Sequence, residues 1–217
     1  MLKKKIIIRL KQITKAYGEV KILDHADLEI EQGTITALTG KSGIGKTSIL
    51  KILSNNDTDY SGEYNLNIKN SQRYKIGIIP QRIEVIENWT VYENVMLPLI
   101  YDDSVVNREI RFKVEQALDY VGMESYKNRA VKTLSTGQKQ RVVIARTIVN
   151  NPDIILADEP TASLDEKNAY SIFLLLKEMC KKNVTIVLVT HDMDLAEKCD
   201  YLYEIRNMKI NRIGERA

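Results

Sequence analysis

The stretch Gly40-Lys41-Ser42-Gly43-Ile44-Gly45-Lys46-Thr47 constrains this chain more than any other. It fits G-x-x-x-x-G-K-[ST], the pattern of a loop that cradles phosphate. Its flanks are what such a loop needs. Thr34 to Thr39 alternate polar and apolar residues and read as a strand. Thr47-Ser48-Ile49-Leu50-Lys51-Ile52-Leu53 reads as the first turns of a helix with a buried face. A strand that breaks at glycine and restarts as a helix points successive backbone N–H groups into one bowl. The partial positive charge of the helix N-terminus then attracts anions. Gly40, Gly43 and Gly45 keep Cβ atoms away from phosphate oxygens. Lys46 is placed to reach the β- and γ-phosphates of a triphosphate, and Thr47 to offer its hydroxyl to Mg²⁺. The whole run, Lys41, Ser42 and Ile44 included, together with Ser48, is the expected nucleotide-binding segment.

With 217 residues the chain has room for one large domain or a domain with a subdomain, and 44% hydrophobic residues suffice for a core. Lys plus Arg number 32 against 29 Asp plus Glu, a near balance that argues against nucleic acid as a partner. Lys3-Lys4-Lys5 reads as a solvated strand entry, since three lysines are a weak membrane-surface signal. Cys180 and Cys199 lack a C-x-x-C pattern, so reduced, partly buried thiols in the cytosol are expected. No apolar run approaches the ~18 residues needed to span a bilayer. Ile6-Ile7-Ile8 is too short for a signal peptide. A link to a membrane is therefore expected to come through a partner.

Strand patterns cover Ile6 to Gln12 and Ala26 to Ile30, with turns at Tyr17-Gly18 and Gln32-Gly33. Gly62 to Ile68 alternates, and Lys75 to Pro80 is a short apolar strand. Val91 to Val121 turns helical, with Ile110, Val114, Ala117, Leu118 and Val121 on one face of a helix starting at Asn107. A second helix spans Ser135 to Val149 and stops at Asn151-Pro152. Asp153 to Ala157 is a buried strand, followed by a helix from about Glu166 to Lys181. Thr185 to Thr190 is another, followed by a helix at Met193 to Lys198. Continuous β-branched runs alternating with helices indicate an α/β fold whose parallel sheet is covered on both faces.

The strand before Asp158 ends in two adjacent carboxylates. Asp158 sits at the carboxyl end of the strand, where a Mg²⁺-binding aspartate belongs beside a phosphate loop. Glu159 is placed to polarise a water for attack on the γ-phosphate. On its own the pair could equally cap the next segment; beside the phosphate loop the catalytic reading is preferred. Ser135 starts a helix, and Gly137 removes bulk at its N-terminus, which suits phosphate as well as a plain N-cap.

Leu134-Ser135-Thr136-Gly137-Gln138-Lys139-Gln140-Arg141 resembles the signature motif of ABC-type ATPases. In the same family order, Ala162-Ser163-Leu164-Asp165 resembles the D-loop, His191 the switch histidine, and Gln81 the Q-loop glutamine. Tyr17 matches the aromatic that stacks on adenine, with Val20 beside it. These motifs span nearly the whole chain. The resemblance implies an ATPase core of the P-loop NTPase class with a mainly parallel sheet and an N-terminal antiparallel β subdomain. It also implies an inserted helical subdomain at 82–133, leaving 1–81 and 134–217 as the nucleotide-binding core. Implied, too, are ATP and Mg²⁺ as ligands, with Thr47, Gln81 and Asp158 toward the metal. Glu159, His191, Lys46 and Gln81 would carry catalysis. Ser135, Thr136, Gly137, Gln138 and Asp165 would close over the nucleotide of a second copy in a head-to-tail dimer. A separate transmembrane permease would dock on the helical subdomain and hold the protein on the inner face of the cell membrane.

One position departs from the family pattern: Thr136 replaces the first glycine of Ser-Gly-Gly, which bears on turnover rather than on nucleotide binding. Asn88 to Leu99 resembles the macrolide-exporter, lipoprotein-release and cell-division group of small cassettes, and lactococcin-type bacteriocin exporters are similar. Export or mechanical transmission acting on a peptide, lipid or drug is the expectation. DNA-repair ATPases carry long coiled coils, and no sustained heptads occur here. Ribosome-associated members normally carry two cassettes. A regulatory peptide-sensing complex stays open. His25 is given no role, and Trp89 is a packing residue near the expected permease groove.

Overall fold

The computed structural model describes residues 5–67, 74–102 and 105–215. Lys3, Lys4 and Ile68, read above as parts of strands, lie outside them. The chain opens with two long antiparallel strands, β1 (Ile6–Tyr17) and β2 (Val20–Glu31), each longer than the alternation alone marks. After β3 (Ile35–Thr39) and α1 (Lys46–Leu53), β4 (Ser61–Leu66) returns to pair with β1, giving a three-stranded antiparallel sheet in the order β2-β1-β4. There follow β5 (Ile76–Ile79), α2 (Val91–Ile100), α3 (Asn107–Tyr120), α4 (Thr136–Ile148), β6 (Ile154–Asp158), α5 (Glu166–Lys181) and β7 (Thr185–Val189). The fold closes with a short α6 (Met193–Ala196), β8 (Tyr201–Arg206) and β9 (Lys209–Glu215).

The main sheet has the order β5-β6-β7-β3-β8-β9. Its strands are parallel from β5 through β8, and β9 pairs antiparallel at the edge. The continuous apolar runs explain this layer. Ile35, Ala37, Ile155, Ala157, Ile186 and Leu188 enter one core with helices α2 to α5. Their neighbours Leu38, Ile154, Leu156, Val187 and Val189 enter a second core with α1 and the antiparallel sheet. A strand buried on both faces favours continuous apolar runs, as Ile154 to Ala157 and Ile186 to Val189 are, while β3 keeps Thr36 buried among its apolar residues. Each Ile, Leu or Val among them contributes about 1.5–3 kcal/mol by leaving water.

Within the helical stretch from Val91 to Val121, α2 comes first, and the helix read from Asn107 is α3 with the same start; residues 103 and 104 lie outside the described ones. α2 begins with a capping box, in which the Thr90 hydroxyl accepts the Glu93 N–H and the Glu93 carboxylate accepts the Thr90 N–H. It ends at Ile100, two residues beyond Pro98. α2 and α3 both pack on α4. α6 is shorter than its pattern, ending at Ala196. The β8–β9 hairpin has no counterpart in the sequence reading. Its turn is Asn207-Met208, both left-handed (φ 51° and 61°), a two-residue hairpin without the usual glycine.

Topology places the site. β5, β6, β7 and β3 are parallel neighbours, so their carboxyl ends share one edge of the sheet. Gln81 follows β5, Asp158 ends β6, His191 follows β7, and the phosphate loop follows β3. Ligands of open α/β sheets bind at this edge.

Candidate functional site

Packing against β2 and β8 shapes the phosphate loop. Gly45 is the N-cap of α1 with φ 108°, and a Cβ there would come within 2.1 Å of Ile22 on β2. Gly40 has φ 144°, and a Cβ there would meet the Ile205 carbonyl on β8 at 2.9 Å. Both positions need glycine for backbone angle and for space. The Lys46 ammonium curls over the loop and donates to the carbonyls of Gly40 at 2.8 Å and Lys41 at 3.1 Å.

A cavity of about 210 Å³ opens above the loop, lined by Ser42, Gly43, Lys46, Thr47, Ser48 and Gln81, with Asp158 and Glu159 on the far wall. Here the Thr47 hydroxyl donates to Asp158 Oδ2 at 2.8 Å, across 111 residues of sequence. Burial pushes the Asp158 carboxyl above its ordinary range. The Thr47 hydrogen bond and the Lys46 charge oppose that rise, and the neighbouring Glu159 charge adds to it. A hydroxyl–carboxylate pair lining a phosphate bowl is a hard-oxygen donor set, which fits Mg²⁺ carried by a nucleotide.

Glu159 follows the last residue of β6 in a left-handed conformation, φ 49°, with its N–H donating to the Val189 carbonyl at 2.9 Å. Such a conformation costs a non-glycine residue on the order of 1 kcal/mol or more, and it aims the carboxylate into the cavity wall. His191 Nδ1 pairs with Glu159 Oε2 at 2.5 Å. The Glu159 side chain is only 10% exposed and that of His191 is 67% exposed, so the carboxylate is the fixed partner and the imidazole the movable one. In this structure the His191 imidazole rests on Glu159. Asp192 caps α6 through the Leu195 N–H, which leaves the imidazole out of that cap.

Tyr17 is 45% exposed and Val20 65% exposed, forming an open apolar shelf. The Tyr17 hydroxyl bonds Ser48 Oγ at 3.3 Å and Asp57 Oδ2 at 3.1 Å.

The signature residues are not in this cavity. Ser135 caps α4 in a capping box with Gln138, the Ser135 hydroxyl accepting the Gln138 N–H and Gln138 Oε1 accepting the Ser135 N–H. Thr136 is exposed at the first helical position, and Gly137 is half-buried. Asp165 caps α5, and its two hydrogen bonds from Asn168 hold its carboxyl below the usual range. None of Ser135, Thr136, Gly137, Gln138 and Asp165 lines the phosphate cavity. They form a second surface on the same chain. α4 also grips the loop after Gln81, where Lys139 pairs with Glu87 at 2.8 Å and Arg146 donates to the Glu84 carbonyl, and it holds β5 itself, where Thr147 donates to the Ile78 carbonyl at 3.2 Å. Asn94, fully buried, exchanges hydrogen bonds with the Ile86 backbone and closes that loop.

Sequence reasoning missed Ile22, which packs against Gly45 and lines the cavity, because an isoleucine in a strand carries no mark of function. It also missed Asn168 and Arg146, whose roles are long-range contacts without a local pattern.

The ABC transporter family pattern matches residues 23–162. An uncharacterised ABC transporter ATP-binding protein of Bacillus subtilis, YvrO, is 36% identical over 216 residues, covering 93% of this chain and 94% of the relative. A lipoprotein-releasing system ATP-binding protein of Rhodopseudomonas palustris, LolD 1, is 33% identical, covering 94% of this chain and 98% of its own length. Among solved structures, the dimeric post-hydrolysis state of the ATP-binding cassette MJ0796, bound to ADP and Pi, superposes with a TM-score of 0.83 at 35% identity, covering 97% of this chain and 99% of that one. The protein has the α/β core of these cassettes, and none of its described helices is long and apolar enough to cross a membrane. The chain belongs to the ABC transporter family, as an ATP-binding subunit that hydrolyses ATP.

Proposed function

We propose that two copies of this chain bind two ATP molecules head to tail, each copy closing its signature surface over the other's phosphate loop. The observation that supports this most is the separation just described: one chain carries a phosphate cavity with Lys46, Thr47, Asp158 and Glu159, and a second anion-ready helix N-terminus at Ser135 outside it. Solved cassettes of this family form dimers, which agrees.

In the proposed site, Lys46 leaves the Gly40 and Lys41 carbonyls for β- and γ-phosphate oxygens. Thr47 and Asp158, with Gln81 at the cavity wall, hold Mg²⁺, which neutralises phosphate charge when bound. Glu159 accepts the proton of an attacking water as the water oxygen bonds the γ-phosphorus and the bridging P–O bond to the β-phosphate breaks. His191 swings from Glu159 toward the γ-phosphate. Tyr17 and Val20 take the adenine.

The contacts of α4 with the Gln81 loop support a mechanical role. A shift of Gln81 on phosphate loss pulls on residues 84–87, which Arg146 and Lys139 tie to the signature helix. The helical unit proposed for 82–133 is where a separate transmembrane permease docks, keeping the protein at the inner face of the membrane. Likeness to a LolD protein, named for lipoprotein release, supports export or mechanical transmission acting on a lipid, peptide or drug.

The test is the concentration dependence of hydrolysis. If each site needs two chains, ATPase activity per chain rises with protein concentration until dimers dominate. Constant specific activity on dilution to the lowest measurable concentration would overturn the shared site.

A further inference from the structure

Lys15 is a lysine whose side chain is only 2% exposed, which is rare unless the charge is fully paired. Its ammonium donates to Asp57 Oδ1 at 2.9 Å, to the Asp59 carbonyl at 2.6 Å and to Asp59 Oδ2 at 3.3 Å. All three donors are used. The same ammonium lies 4.6 Å from the centroid of the Tyr17 ring, within cation–π range. Asp57 then reaches back: its second oxygen, Oδ2, accepts the Tyr17 hydroxyl at 3.1 Å. That hydroxyl also bonds Ser48 Oγ, and Ser48 sits in α1 and lines the phosphate cavity.

The ring of Tyr17 is thus held by its hydroxyl at one end and by a cation on its face, while the residue keeps 45% of its surface exposed. Nothing in ordinary strand packing requires a buried ammonium under an exposed aromatic. The Lys15 amine is pushed above its usual pKa and the Asp57 carboxyl below its own, each first by the hydrogen bond between them, so the pair stays charged at neutral pH.

We propose that Lys15, acting with Asp57, is a positioning residue of the nucleotide site: it fixes the Tyr17 ring and ties it to Ser48, so that the purine shelf and the phosphate loop form one preorganised unit. This rests on Tyr17 being the adenine platform. The gain is one of preorganisation, because a ring already locked loses no rotamer freedom when a base stacks on it. Lys15 touches no substrate in this scheme.

The experiment compares two probes on the full chain by calorimetry or competition: Mg·ATP, and Mg·tripolyphosphate, which has phosphates and no base. Lys15→Met is expected to weaken ATP binding about three- to tenfold, with tripolyphosphate binding unchanged within about twofold. Lys15→Arg, which keeps the cation, is expected to stay within about twofold of the parent for both probes. In a Tyr17→Ala background, Lys15→Met should add no further loss of ATP affinity. Where Lys15→Met does not fold, Asp57→Asn makes the same comparison, and the same selective loss is expected. Equal loss of both probes, or unchanged ATP affinity in Lys15→Met with Tyr17→Ala clearly weakened, overturns the role of Lys15 and leaves the platform standing. Unchanged ATP affinity in Tyr17→Ala overturns the platform itself.

Discussion

Gly137 and Asn168 meet where the signature helix touches the next one: a Cβ built on Gly137 would lie 3.2 Å from the Asn168 side-chain amide. That amide cannot retreat freely. Its Nδ2 donates to Asp165 Oδ2 at 2.6 Å, and the Asn168 N–H donates to Asp165 Oδ1 at 2.9 Å. One side chain therefore joins the signature turn to the cap of α5. Gly137→Ala gains about 1 kcal/mol of helix propensity, yet it displaces Asn168 and loosens Asp165. The expected result is a fall in turnover of roughly tenfold, since small misplacements at a shared site are costly, with ATP affinity of the single chain unchanged. Adding Asn168→Ala removes the obstacle, so the double variant should lose less than the sum of the two single losses. Strict additivity in the logarithm of kcat would remove Asn168 from this role.

The Lys46 ammonium donates to two loop carbonyls. Lys46→Ala removes those bonds and the cation meant for phosphate. ATP affinity measured by calorimetry is expected to drop about tenfold or more, as charge-assisted hydrogen bonds to phosphate are lost. An affinity equal to the parent would contradict the assignment of the loop.

The raised pKa of Asp158 makes a pH-dependent prediction. The folded chain binds this proton more tightly than the unfolded chain does. Ionising Asp158 therefore costs stability as pH rises through the folded-state value. Asn in its place keeps an acceptor for Thr47 and removes the charge beside Glu159. Asp158→Asn is expected to raise the nucleotide-free Tm near neutral pH by about 2 °C or more. The gain should shrink as pH falls through the carboxylate range. The same variant should lose the Mg²⁺ dependence of ATP binding. A variant less stable than the parent at neutral pH would show that the Asp158 charge is favourable where it stands.

Legibility in the sequence followed range. The phosphate loop, the β6 carboxylates and the Ser135 cap are local patterns, because a turn, a strand end and a helix start each need particular residues at fixed spacing. The parallel core was readable because strands buried on both faces favour apolar runs, as Ile154 to Ala157 and Ile186 to Val189 are. The β8–β9 hairpin was not, since Asn207-Met208 lacks the glycine that marks such turns. The start of α3 at Asn107 was legible from the apolar spacing of Ile110, Val114, Ala117, Leu118 and Val121. Lys15 with Asp57, Arg146 with Glu84 and Gly137 with Asn168 are pairs made by folding, separated by 31 residues or more. No local spacing announces them. The contact of His191 with Glu159, 32 residues apart in sequence, is of the same kind.

The shared site is tested most directly by the oligomeric state of Glu159→Gln with ATP and Mg²⁺. This variant should bind ATP as the parent does and turn over about two orders of magnitude more slowly or less, trapping the closed form. Sedimentation velocity is predicted to show a dimer with saturating Mg·ATP, a monomer without it, and a monomer again when Ser135→Arg is added. A Glu159→Gln chain that stays monomeric at saturating nucleotide, or a dimer indifferent to Ser135→Arg, would contradict the account.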